Sequence, residues 1–182
     1  MSNRRNFLKT SAISICGTPF LVNSKSFFDP PINHGPLVKQ PEDCEIFFVR
    51  ENTPVTFHIS KSADQISSVS LLSEELLPGA LIPIHKHINE DEYFIFSQGT
   101  GVITIDEAMF EFKPGTTVFV PKNTWHTLRN TGDVNVIFSF GYSPAGFEDF
   151  FREIGTPKGQ TFQQKPKEEF DVIAKKYGMV FK

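Results

Sequence analysis

The sequence predicts an all-β domain, a sandwich or barrel of short strands, followed by two C-terminal helices. Three observations carry this expectation. From Glu45 to Tyr142, short runs rich in β-branched and aromatic residues alternate with polar positions. Turn residues punctuate those runs at near-regular intervals, as in sandwiches and barrels. Beyond Tyr142 the apolar period changes from two to that of a helix.

The chain has 182 residues, enough to bury the core of one ordinary domain. Phe occurs 20 times against three Tyr and one Trp. The formal charge is -3, and no Lys/Arg cluster lies in the folded part. That argues against a nucleic-acid surface.

Residues 1–28 differ in composition. Asn3-Arg4-Arg5-Asn6-Phe7-Leu8-Lys9 is cationic, and the segment from Thr10 to Asn23 is uncharged and mostly apolar or small. Cationic then apolar is the order of a secretory leader, and the apolar part is too short to span a bilayer. The paired arginines resemble the bacterial twin-arginine export signal. The chain is therefore expected to be exported, to a periplasm or equivalent compartment, with no stable membrane anchor once the leader is gone. Cleavage is expected between Phe20 and Phe28. Replacing Arg4 and Arg5 with Lys is expected to hold the protein in the cytoplasm, which cell fractionation would reveal. A leader ending at Ser24 would remove Arg4, Arg5 and Lys9 and take the charge from -3 to about -6. Cys16 would leave with it, so Cys44 would have no intrachain partner. Cys44 is expected to be a small buried apolar residue.

Residues 29–43, with Pro30-Pro31 and Gly35-Pro36, read as an extended arm. His34 has no ligand type beside it. The arm is also a candidate dimerisation element. The barrel is placed at 44–142. Strands are expected at Glu45–Arg50, Val55–Ser60, Ile66–Leu76, Leu81–His87, Glu92–Gln98, Gly101–Ile105, Ala108–Phe112, Thr117–Val120, His126–Arg129 and Val134–Tyr142. Residues 143–182 form the helical extension. Its first helix is expected to start at Ser143-Pro144, with Phe147, Phe150, Phe151 and Ile154 on one stripe before Gly155. Its second runs from Pro166 to Tyr177, with Phe170, Ile173, Ala174 and Tyr177 on its stripe and Gly178 as its stop. Each helix has one apolar face, so both should pack outside the barrel or across its mouth.

The chemistry concentrates in two stretches. In the first, His85 and His87 lie two apart on a strand, so both imidazoles face one way. Glu92 follows after a turn and begins the next strand. Glu90 and Asp91 precede it in the turn and are expected to be solvated. Phe94 and Phe96 share the parity of Glu92 and are candidates for an apolar pocket wall. Phe138 and Phe140 share one face of a later strand. In the second stretch His126 follows the Pro121-Lys-Asn123 turn. His58 sits on an earlier strand and is expected at an edge or the surface.

Together the two stretches resemble the two sequence motifs of the cupin superfamily. Gly79, His85, His87, Glu92 and Gly99 match the first, and Gly115, Pro121, His126 and Asn130 match the second. Asn123 stands where the family has Gly, and Asn tolerates the left-handed backbone nearly as well. The 15 residues between the motifs suffice for one hairpin. The resemblance implies a double-stranded β-helix, or jelly-roll, barrel in which His85, His87, Glu92 and His126 hold one divalent transition metal. Three imidazoles and a carboxylate without thiolate suit Fe, Mn, Ni, Co, Cu or Zn. The run Pro144-Ala-Gly-Phe147-Glu-Asp-Phe-Phe151 is similar to the post-barrel helix of quercetin 2,3-dioxygenase-like cupins. That narrower resemblance implies a dioxygenase acting on a small molecule, with Glu92 as ligand and catalytic base. Non-redox isomerase, lyase or decarboxylase chemistry, and ligand binding without turnover, are the alternatives.

Overall fold

The computed structural model describes residues 35–182. The expected leader, with Cys16, and His34 lie outside the described residues. Twelve strands occur among those described: β1 (Glu45–Arg50), β2 (Thr53–Ile59), β3 (Leu71–Leu76), β4 (Leu81–His87), β5 (Asp91–Gln98), β6 (Gly101–Ile105), β7 (Ala108–Phe112), β8 (Thr117–Val120), β9 (His126–Asn130), β10 (Val136–Ser143), β11 (Thr156–Pro157) and β12 (Met179–Phe181). Three helices accompany them: α1 (Lys61–Asp64), α2 (Asp149–Ile154) and α3 (Lys167–Lys176). A 3₁₀ turn at Pro41–Asp43 ends the arm.

The strands form two antiparallel sheets, ordered β11-β1-β2-β3-β10-β5-β8 and β12-β4-β9-β6-β7. This is the expected all-β jelly roll. Alternation decides what faces inward. Phe94 and Phe96 on β5 and Phe138, Phe140 and Tyr142 on β10 are all buried. Phe96 stacks on Phe112, with ring centroids 3.9 Å apart, so the sheets interlock through aromatic rings.

Several boundaries differ from expectation. No strand covers Ile66–Ser70. There the chain turns across the end of β10: Ser70 donates to the Tyr142 carbonyl at 3.0 Å, and Ala145 to that of Ser67 at 3.0 Å. Ser70 passes so close to Gly141 that an added Cβ would lie 2.0 Å from its carbonyl oxygen. The first C-terminal helix does not start at Ser143. That residue still pairs with Asp91 in the sheet, and Gly146 has a φ of 143° that no helix accommodates. Glu148 fixes this connector, its buried carboxylate accepting from the backbone N–H of Lys61 at 2.6 Å and of Gly146 at 2.7 Å.

The extension is also more than helical. β11 pairs with β1, and β12 pairs with β4, placing Phe181 opposite His85 and Met179 opposite His87. The tail thus covers the edge of the strand that carries two of the four expected ligands, where an open edge would leave backbone groups unpaired. Cys44 is only partly buried, with Sγ 3.6 Å from the Gln40 carbonyl, and does not join the core.

Candidate metal centre

The two sheets bring the four expected residues to one place. Strand β4 pairs with β9 so that His85 and His126 are directly opposite. His87 follows His85 at period two on the same face. Glu92 comes from the facing sheet, where it pairs with Tyr142 on one side and Val120 on the other. The turn before β9 is tied to β4, since Asn123 N–H donates to the His87 carbonyl at 2.7 Å. Asn123 has a φ of 65°, so it does take the left-handed conformation expected of it. One ligand atom from each of His85, His87, Glu92 and His126 lies within 4.8 Å of the others, and all four residues are buried.

The tautomers follow from the surroundings. Nδ1 of His85 lies 2.8 Å from the Pro83 carbonyl, and Nδ1 of His126 lies 3.0 Å from that of Thr124. A carbonyl only accepts, so each Nδ1 carries the proton and each Nε2 presents a lone pair. His126 Nε2 is 2.8 Å from Glu92 Oε2, and His87 Nε2 is 3.3 Å from it. Neither contact has the alignment of a hydrogen bond. His87 Nε2, Glu92 Oε2 and His126 Nε2 are buried without hydrogen-bond partners. Orphaned buried donor atoms are costly, and here they converge. This three-nitrogen, one-oxygen set is compatible with a single metal ion.

Electrostatics favour the ligand forms of His85 and Glu92, while His126 holds a proton that a metal would displace. Burial, aided by His126, lowers the pKa of His85 to about 3, so it stays neutral. Burial alone would raise Glu92, but His87 and His126 more than reverse this and hold it below the ordinary carboxylate range. Burial lowers His126, and the adjacent Glu92 carboxylate more than offsets that, leaving it raised. Tyr142 stays protonated, its pKa pushed well up by burial and then by Glu92.

The cluster borders a cavity of about 370 Å³. Its wall is mostly apolar, with Phe94, Leu128, Phe138 and Phe140 from the strands, Phe147 from the connector and Phe181 from the tail. Phe94 is therefore a wall residue as expected. Phe96 does not line the cavity and belongs to the core behind it.

Residues 72–140 match the sequence profile of the cupin domain. The barrel is a cupin fold. An uncharacterized protein of Methanocaldococcus jannaschii is 35% identical over 80 residues, covering 43% of this chain and 64% of that protein. A dimethylsulfoniopropionate lyase of Ruegeria pomeroyi is 28% identical over 74 residues, covering 41% of this chain and 47% of that protein. The chain spans less than two thirds of the length of either relative. The solved structure of KdgF from Halomonas sp. superposes with a TM-score of 0.54 at 13% identity, covering 63% of this chain and 99% of that one. The last likeness is one of fold alone.

Other residues of the barrel depart from the sequence reading. Glu90 is not solvated: it is 9% exposed, its Oε2 has no hydrogen-bond partner, and burial raises its pKa. Asp91 is not in the turn but begins β5, and its carboxylate accepts from Lys122 N–H at 2.9 Å. His58 lies away from the cavity, its Nε2 2.9 Å from Ser73 Oγ. Arg50, Glu74 and Tyr142 line the cavity and were not singled out by the sequence. Glu74 did carry a signal, a carboxylate at the same parity as Leu72 and Leu76.

Proposed function

We propose that this cupin is an exported metal-dependent oxidoreductase of the dioxygenase type, acting on a small organic molecule in the barrel cavity. One observation carries the reading: four buried donor atoms, three without hydrogen-bond partners, converge at the edge of an aromatic-walled cavity. His85, His87, Glu92 and His126 would hold the metal. When bound, a redox-active divalent metal supplies the one-electron chemistry that dioxygen needs to react with an organic substrate. The chain's own residues do the rest. Glu92, kept ionised, is positioned to take a proton from a bound substrate. The Tyr142 hydroxyl beside it remains a proton donor. The phenylalanine wall excludes water and orients a flat apolar body.

A second reading is favoured by a specific observation, the match to a lyase over 74 residues. In that case Glu92 abstracts a proton and the metal polarises the substrate without redox change. Elemental analysis of natively produced protein, oxygen uptake with a flavonol panel, and turnover under strict anaerobiosis separate the two. The dioxygenase reading expects Fe, Cu, Mn or Ni and stoichiometric oxygen uptake. Zinc content with undiminished anaerobic turnover would overturn it.

A further inference from the structure

The cavity holds a second charged pair that proton transfer at Glu92 does not use. On β1, Phe47 and Val49 pack against the core. Strict alternation would turn Arg50 away from Val49. The pairing with β2 is irregular at this point: Phe48 pairs with Pro54, but Arg50 pairs with Thr53. One extra residue on β1 forms a bulge, and a bulge re-aims a side chain. Val49 and Arg50 consequently both line the cavity.

Glu74 faces the same space from β3 and is 4% exposed. It accepts a hydrogen bond from Arg50 Nη1. The other guanidinium N–H groups of Arg50 make no side-chain hydrogen bond among the described residues, and the side chain is 38% exposed. An ion pair with only one partner buried contributes little net stability compared with apolar residues of similar size. Here it stands in a wall that is mostly apolar, apart from Gln164, Tyr142 and the histidine–glutamate cluster. What it does provide is a guanidinium held through Nη1, with its remaining donors free of side-chain partners among the described residues, on a residue that lines a ligand-sized space.

The register fixes where this pair lies. Glu92 is level with Tyr142, while Glu74 is level with Phe138 and Phe96, four residues further along β5. The two polar ends are therefore separated by on the order of 13 Å of strand. Phe94, Phe140 and Leu128 line the space between.

We propose that Arg50 anchors the carboxylate of a small organic acid whose apolar body lies on this aromatic wall and whose other end reaches the His85–His87–Glu92–His126 cluster. The inference rests on the cavity being the substrate site and holds for either reaction above. Glu74 is the positioning residue that orients Arg50. Burial raises Glu74 despite Arg50, so a second carboxylate on that guanidinium can be met by a proton on Glu74 rather than by repulsion.

The test uses the full chain, metal-free and metal-loaded, with 3-phenylpropanoate and its methyl ester as probes in titration calorimetry. The acid is expected to bind about tenfold tighter than the ester in both forms, the order of one charged hydrogen-bond partner. Arg50→Met is expected to remove that preference while leaving metal content unchanged. Glu74→Gln is expected to retain it. If Arg50→Met does not fold, Arg50→Lys, which keeps the charge but not the fork, is expected to weaken the acid several-fold and leave the ester alone. Equal binding of acid and ester to the unaltered protein, binding of neither, or a preference that survives Arg50→Met would overturn the proposal. Loss of metal content with the acid preference intact would count against the metal reading instead.

Discussion

Replacing His85 and His87 together with Ala is expected to abolish metal binding and leave a folded barrel. Metal content should fall from near one per chain to below about a tenth, because two of four ligands are gone and the remaining carboxylate and imidazole cannot fix an ion alone. The fold should survive because the phenylalanine core that joins the sheets, with Phe96 stacked on Phe112, stays intact, although His87 loses its edge-on contacts with Phe147 and Tyr142. Both are buried, and both nitrogens of His87 lack hydrogen-bond partners. Taking them away leaves space in the barrel, and the relief of desolvating these nitrogens offsets part of that cost in the metal-free protein. The thermal response is the second readout. An ion at a hundredfold its Kd stabilises the native state by about 2.7 kcal/mol. In a domain of this size that raises Tm by about 5–10 °C. The shift should vanish in the double variant, whereas stoichiometric metal in that variant would contradict the ligand assignment. Acid should release the metal as well. The raised pKa of His126 means the metal-free site holds a proton there to higher pH than an ordinary histidine. Metal must displace that proton, so affinity falls as pH falls through the His126 pKa. His85, neutral down to about 3, contributes nothing to this dependence near neutrality.

What was legible in the sequence was what local periodicity controls. His85 and His87 share a face because a strand has period two, and β4 occupies the expected residues. Glu92 was separable from Asp91 by parity, because β5 alternates through Phe94 and Phe96, whereas Glu90 shares that parity and was set apart only by its place in the turn. The turn at Asn123 was readable because few residues tolerate a positive φ. What was not legible depends on partners distant in sequence. Met179–Phe181 is too short to show a period, and it is a strand only because the edge of β4 is free to receive it. The burial of Glu90 comes from tertiary packing that a turn's composition does not encode. Arg50 enters the cavity because of one extra residue on β1, and a bulge leaves no mark on an alternating pattern.

Asn130 links the two sheets, and its replacement is expected to cause a large loss of stability. Its side chain is fully buried, with Nδ2 donating to the carbonyls of Leu76 and Val134 at 2.8 Å each and Oδ1 accepting from Gly132 N–H at 2.9 Å. The end of β9 is thereby fastened to the end of β3 in the other sheet and to the loop that leads into β10. Asn130→Ala strands one donor and two acceptors. At about 1–3 kcal/mol for each buried group left unpaired, less whatever water recovers, the loss should be about 3–5 kcal/mol. That lowers Tm by about 6–20 °C. Asn130→Asp separates this account from a simple loss of packing. It is nearly isosteric and keeps the acceptor for Gly132, but it turns a carboxylate oxygen toward two carbonyl oxygens. At neutral pH it should destabilise at least as much as Ala despite filling the space. On acidification, protonation supplies one donor, so the Asp variant should recover relative to Ala as pH falls. Chemical denaturation of both variants at pH 7.5 and 5 gives the comparison. An Asp variant milder than Ala at pH 7.5 would mean that volume, and not the donated pair of hydrogen bonds, is what Asn130 contributes at the junction of the sheets.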